Sequence, residues 1–175
     1  MFNSIYSKYI QRLAVDLDAK FCPSGELEVV ADQNKFKMYL FPASEGQLYI
    51  PAYFQLKTEI SQTCGCFSVR RSDLMDWVAE NIFFKQDYQV GDESFDSQFF
   101  ITVKDDKQAI KFFSKKQIRI IVSDLLSNDF HKVYVKDSEL VVIRYAKSRD
   151  DFPSMEMINT AIRKIQLIRD ISRLT

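Results

Sequence analysis

The apolar residues of this chain switch between helical and extended spacing along its length, and that switching constrains the fold more than any other feature. Near the N-terminus Phe2, Ile5, Tyr6, Tyr9, Ile10, Leu13 and Leu17 share one helical face, with Lys8, Arg12, Asp16 and Lys20 off it. Pro23 and Gly25 end that helix. Period 2 follows. Leu27, Val29 and Ala31 alternate with polar neighbours, and so do Phe36, Met38 and Leu40. The run Leu48 to Ile60 is rich in aromatic and β-branched residues, with Pro51 marking an edge or a bulge. Phe67 to Arg70 is a short strand. Turn residues at Asp32-Gln33-Asn34 and Ser44-Glu45-Gly46 separate the first three strands, which predicts an antiparallel meander.

Helical spacing returns after Ser72, a helix cap, with Leu74, Met75, Val78 and Ile82 inward. A turn at Gly91 leads to a strand over Phe99 to Val103. Asp105 or Asp106 caps one long helix carrying Ala109, Ile110, Phe113, Ile121, Leu125 and Leu126 on its inner face. Val133-Tyr134-Val135 and Leu140 to Tyr145 flank Lys136-Asp137-Ser138-Glu139, a hairpin signal. Pro153-Ser154 opens a last helix with Met155, Ile158, Ala161, Ile162, Ile165 and Ile168 in one stripe. Leu167, Ile171 and Leu174 widen that stripe, which points to deep packing or to a second helix from a partner.

This order predicts an α+β fold, a mainly antiparallel sheet covered by amphipathic helices. One domain is expected over 1–175. It divides into an N-terminal helix (1–21), a strand meander plus helix (26–90) and a strand–helix–hairpin–helix unit (91–175). With 4 Gly and 4 Pro there is no long flexible linker. No self-similarity at a fixed period marks a repeat.

Formal net charge is zero but uneven, at −5 over residues 1–100 and +5 over residues 101–175. Two solvated faces account for this, since no run of five or six like charges occurs. No apolar run approaches the ~20 residues of a membrane span, and Asp16 and Asp18 interrupt any leader-like N-terminus. Three cysteines fit a reducing compartment, so a cytoplasmic location is expected.

Between helix and strand lies Gly91-Asp92-Glu93-Ser94-Phe95-Asp96-Ser97-Gln98-Phe99. Gly91 suits a positive φ, Asp92 and Asp96 suit Asx-type turns, and Phe95 and Phe99 sit four apart on one face of an extended segment. The pattern Gly-Asp-x-x-Phe-Asp-x-x-Phe resembles bacterial domains of unknown function of the DUF3137 (Galanin-like) type. The resemblance spans about residues 36 to 172, mostly as pattern, and matches residue by residue at Gly91, Asp92, Phe95, Asp96 and Phe99. It implies a polar meander before the motif and a helix, hairpin and C-terminal helix after it. Such relatives often carry two transmembrane helices, which this chain lacks, and they offer no catalytic residues to carry over.

Two functional readings follow. The first is a non-catalytic interaction module or binder of a small apolar ligand, with an unknown protein partner or a homodimer through a terminal helix. The second is a hydrolase-like or metal-dependent enzyme that uses the Asp92, Glu93 and Asp96 carboxylates. Lys115, Lys116 and Arg119, with Lys111 along one side of the third helix, are the matching basic candidates for ligand or partner binding. No cofactor is expected, because there is no P-loop, G-x-G-x-x-G or H-E-x-x-H pattern. Cys64-Gly65-Cys66 has neither redox nor zinc spacing and reads as packing around a turn, and His131 reads as a solvated loop histidine. Zero net charge, with aromatics mostly on apolar faces, argues against a nucleic-acid partner. Weak membrane-surface association through the basic half is the remaining alternative.

Overall fold

The computed structural model describes residues 4–22, 26–42, 52–61, 64–72, 87–104, 106–128, 130–148 and 151–173. The expectations for Phe2, Pro23, Gly25, the Ser44-Glu45-Gly46 turn, Leu48 to Pro51, the helix after Ser72, Asp105 and Leu174 lie outside these residues. The described elements run α1 (Ser4–Asp16), β1 (Lys20–Phe21), β2 (Leu27–Ala31), β3 (Asn34–Phe41), β4 (Tyr53–Glu59) and β5 (Phe67–Arg71). They continue with α2 (Glu93–Asp96), β6 (Phe99–Val103), α3 (Asp106–Phe113), α4 (Lys116–Ser127), β7 (Lys132–Lys136), β8 (Glu139–Tyr145) and α5 (Met155–Arg173).

All eight strands form one antiparallel sheet in the order β1-β2-β3-β4-β8-β7-β5-β6. The C-terminal hairpin β7–β8 is inserted between the meander and the β5–β6 pair. It pairs Tyr53 with Tyr145 on one side and Arg70 with Lys132 on the other. Two hairpins turn without glycine: Asp32 and Gln33 take φ of 47° and 64°, Asp137 and Ser138 take 51° and 62°. Left-handed values at both central residues are those of a type I′ turn, whose twist matches that of the flanking strands. The β6 edge is closed by the segment before the motif. Tyr88 N–H donates to Ile101 O at 2.8 Å, and Ile101 N–H donates to the Asp87 carboxylate at 2.7 Å.

Alternation assigns the two faces. Leu27, Val29, Phe36, Met38, Phe54, Leu56, Phe67, Val69, Phe99, Ile101, Val133, Leu140 and Val142 point to one side. There they form a continuous core with Leu13 of α1, Phe113 of α3, Ile118 and Leu125 of α4, and Ile158 and Ile165 of α5. Every one of the longer described helices therefore packs on this face.

The predicted long third helix is two helices. Lys115 between them is extended, with φ −77° and ψ 107°. The inward residues Phe113 and Ile118 are five apart, which turns a straight helix by about 500°, roughly 140° off a common face. Breaking the helix restores the phase. Ile110, expected inward, is half exposed in consequence. The motif also departs from expectation: Phe95 lies in a single helical turn, α2, rather than in an extended segment. Phe95 and Phe99 are nonetheless both buried, with ring centroids 4.8 Å apart.

Candidate functional site

The carboxylate motif is a closed turn. Asp96 accepts N–H bonds from Val90 at 2.9 Å, Gly91 at 2.9 Å and Asp92 at 3.1 Å. Asp92 caps α2, accepting from Phe95 N–H at 3.4 Å and Ser94 O–H at 2.8 Å. Its other oxygen faces the Arg119 guanidinium, with Nε 2.9 Å away. The Ser94 hydroxyl and then Arg119 hold the Asp92 carboxyl below the usual carboxylate range. Glu93 is exposed. Gly91 takes φ +80°, as a left-handed entry to the turn requires.

Of the basic candidates, Arg119 alone meets this turn. Its Nη1 also donates to Phe113 O at 2.5 Å and Ser114 O at 3.2 Å, the carbonyls left over at the end of α3. Lys115 reaches Ile171 O at 2.6 Å, and Lys116 is exposed. A groove of about 410 Å³ runs past Asp92, Ser94, Gln98, Arg119, Ser123 and Asp124. The carboxylates beneath it are already bonded to the backbone and to Arg119, so the arrangement ties α2 to the α3–α4 corner. Among the described residues no group of three His, Cys, Asp or Glu side chains is placed to hold a metal ion.

Cys64, Cys66 and Cys22 are free thiols. Burial pushes the Cys64 thiol up, which keeps it protonated and unreactive. Gly65 between the two has φ +72° and sits where a Cβ would meet the Gln108 Cβ at 2.7 Å. His131 is not a solvated loop residue: it is half buried, extends the β7–β8 ladder through Ile143 O at 2.8 Å, and accepts the Tyr145 N–H on Nδ1 at 3.1 Å.

The second candidate surface is the other side of the sheet, where none of the described helices packs. Tyr39, Phe41, Tyr53, Tyr134 and Tyr145 all point there, each half buried. Phe41 stacks on Tyr39 at 5.6 Å and on Tyr53 at 4.4 Å, and Tyr53 meets Tyr145 edge-on at 6.1 Å. Cations lie over rings across the same face: Lys57 over Tyr39 at 5.2 Å, Lys132 over Tyr134 at 5.3 Å and Arg70 over Phe100 at 5.0 Å. Burial, with the neighbouring Tyr53 and Glu139, raises the Tyr134 phenol, so it stays neutral.

In the meander half, cations are matched by carboxylates. Lys35 pairs with Glu28 at 3.4 Å, and Lys57 lies between Glu139 at 3.1 Å and Glu26 at 3.9 Å. In the β5–β7 half, one groove of about 380 Å³ is lined by Lys104, Lys132, Lys136 and Tyr134 with Ser68 and Thr102. A second, of about 420 Å³, lies at the strand ends between Arg70, His131, Tyr145 and Lys147 and the C-terminus of α4, whose Leu126 and Ser127 carbonyls accept from Arg71. Asp137 is the one carboxylate among the described linings of both.

Sequence pattern alone assigns the aromatics to the core and so hides this surface. That holds for most phenylalanines and for Tyr9 and Tyr88, and fails for the strand tyrosines Tyr39, Tyr53, Tyr134 and Tyr145. The signal was present in β3, where Lys35, Lys37, Tyr39 and Phe41 alternate with Phe36, Met38 and Leu40. Its polar face ends in two aromatics. No family model, curated protein or solved structure matches this chain. Among the described residues no helix is long and apolar enough to cross a membrane.

Proposed function

We propose that this chain is a non-catalytic interaction module and that the sheet face left uncovered by the described helices is the surface it presents to its partner. The observation that carries this reading is the placement of Tyr39, Phe41, Tyr53, Tyr134 and Tyr145 on the side of the sheet that the described helices do not cover. Tyrosine suits such a surface, since it offers an apolar ring and a polar tip at small entropic cost. Interleaved lysines and arginines favour a polar partner over a small apolar ligand. The terminal helices support a homodimer less well, because Val15 and Leu167 are isolated exposed residues of the ordinary kind. The carboxylate motif supports catalysis less well, since a general acid or base needs an oxygen free to meet substrate. The resemblance of Gly91 to Phe99 to domains of unknown function adds no chemistry to this reading.

Native mass spectrometry of the purified full chain tests it. The polypeptide mass, or whole multiples of it, is expected. A small molecule or metal retained at one per chain contradicts the reading and directs attention back to the grooves.

A further inference from the structure

We infer that the cavity where β3 begins and β4 ends takes a carboxylate of the partner on the Arg169 guanidinium. This rests on the proposal that the uncovered sheet face is the working surface, and it names one group that the partner brings.

Three observations converge. The first is the cavity itself. About 380 Å³ in volume, it lies among Lys35, Lys57, Glu59, Glu139 and Arg169. Lys35, Lys57 and Glu59 alternate with core residues and so stand on the same face as Tyr39 and Tyr53. The Lys57 ammonium lies over the Tyr39 ring at 5.2 Å. The cavity is therefore one end of the tyrosine surface. The second is Arg169. It arrives from α5, about one turn beyond Gln166, whose amide donates to Ala31 O at 3.1 Å and to the Asp32 carboxylate at 3.2 Å. Its Nε and Nη1 are shielded from solvent and find no acceptor among the described residues. Burial and the nearby Arg173 disfavour its charge, and Asp170 and Glu59 offset this only in part. The third is that the other cations of the cavity are taken. Lys35 pairs with Glu28 at 3.4 Å, Lys37 with Glu26 at 3.8 Å, and Lys57 with Glu139 at 3.1 Å. Among the described residues Arg169 is the one cation lining this cavity without an ion pair.

A guanidinium held partly out of water with unmet donors is costly, and a carboxylate relieves that cost through two parallel, charge-assisted N–H bonds. The rotatable stem of Arg169 lets the shielded donors turn to an acceptor that enters from the cavity. Glu59 shares the cavity, is exposed, and makes no ion pair among the described residues, so it acts on Arg169 only through its field. Its charge, with Glu28 and Glu139 close by, favours a singly charged carboxylate over a phosphate dianion, whose second charge these groups repel. The planar guanidinium fork also matches a planar carboxylate better than the point charge of a lysine would. A partner that brings an Asp, a Glu or its C-terminal carboxylate to this end of the surface gains a directional anchor beside the aromatic contacts.

The test is proton–nitrogen NMR of the full chain at constant ionic strength, following the Arg169 Nε–H and the backbone amides of Gln33 and Asn34. The probes are glutamate blocked at both backbone ends, N-acetylglycine and inorganic phosphate. Saturable shifts are expected with both carboxylates, with a Kd on the order of 1 mM for two charge-assisted bonds. Tighter binding of blocked glutamate assigns a side-chain source, and tighter binding of N-acetylglycine a chain terminus. Arg169→Lys should weaken binding at least about fivefold, read at the backbone amides. Lys136→Gln, in the other half of the sheet, should change it less than about twofold. The dispersion of the backbone spectrum screens each variant for retained fold. No saturable shift with either carboxylate up to about 50 mM overturns the inference. So does unchanged binding in Arg169→Lys, or phosphate binding about tenfold tighter than both carboxylates. Binding that appears only in Glu59→Gln makes Glu59 the occupant and overturns it as well. A failure here alongside a bare native mass leaves the interaction-module reading standing, so the two are distinguishable.

Discussion

Arg144 shows how this chain uses a buried charge. It lies on the core side of β8, nearly inaccessible, and its guanidinium bonds the Asp151 carboxylate and, at 3.0 Å, the Asp151 carbonyl. The second Asp151 oxygen accepts Lys147 N–H at 2.6 Å, which closes the connection from β8 to α5. Tyr9 completes the corner by stacking on Phe152 at 4.4 Å and donating its hydroxyl to Pro153 O at 2.7 Å. Burial alone would push the Asp151 carboxyl up, but the Arg144 and Lys147 hydrogen bonds outweigh it and hold the group low. A carboxyl lowered by folding stabilises the fold above its unfolded value of ~3.9, and that contribution is lost as pH falls through the lowered folded value. Asp151→Ala is therefore expected to cost about 3–5 kcal/mol at pH 7, because it leaves a buried guanidinium unpaired. The gap from the parent should narrow as pH drops below ~3.9. Urea unfolding of both proteins across that range checks the sign, and a gap that widens in acid contradicts it.

At the scale of elements, the hairpins carry the most local information. Asp137 and Ser138 both hold positive φ, which Asn-Gly adopts at less cost. Replacing them by Asn-Gly is expected to raise stability by about 0.5–1 kcal/mol, seen as a higher thermal midpoint. An unchanged or lower midpoint would mean the turn is fixed by its strands alone. This hairpin was legible because turn residues and strand alternation agree over a dozen positions. The last helix was legible for the same reason, with Ser154 capping it by accepting Met157 N–H at 3.2 Å. The break at Lys115 was not, because apolar residues lie on both sides and only a five-residue phase slip between Phe113 and Ile118 betrays it. Nor was the α2 turn, since four residues are too few to show a period. Strand order was beyond reach as well. Nothing local to β7 and β8 says that they insert between β4 and β5 rather than follow β6.

For the whole molecule, the division of labour between the two faces is the central claim. The core face is filled by phenylalanine and aliphatic residues of the sheet and the longer described helices, and Phe100, Val141 and Ile143 on the other side are buried as well. The carboxylate motif belongs to that structural economy, holding α2 against Arg119 and the α3–α4 corner. The sheet face opposite the described helices carries Tyr39, Tyr53, Tyr134 and Tyr145, half-buried rings that the core cluster does not include. Urea unfolding of two double variants separates these roles. Asp92→Ala with Asp96→Ala removes a helix cap and three N–H bonds to the Asp96 carboxylate, and is expected to lower the urea midpoint clearly. Tyr134→Ser with Tyr145→Ser removes cross-strand and ring contacts among the described residues, and should stay within ~1 kcal/mol of the parent. If the tyrosine pair proves the costlier loss and the aspartate pair is tolerated, the assignment of structure to one face and function to the other is contradicted.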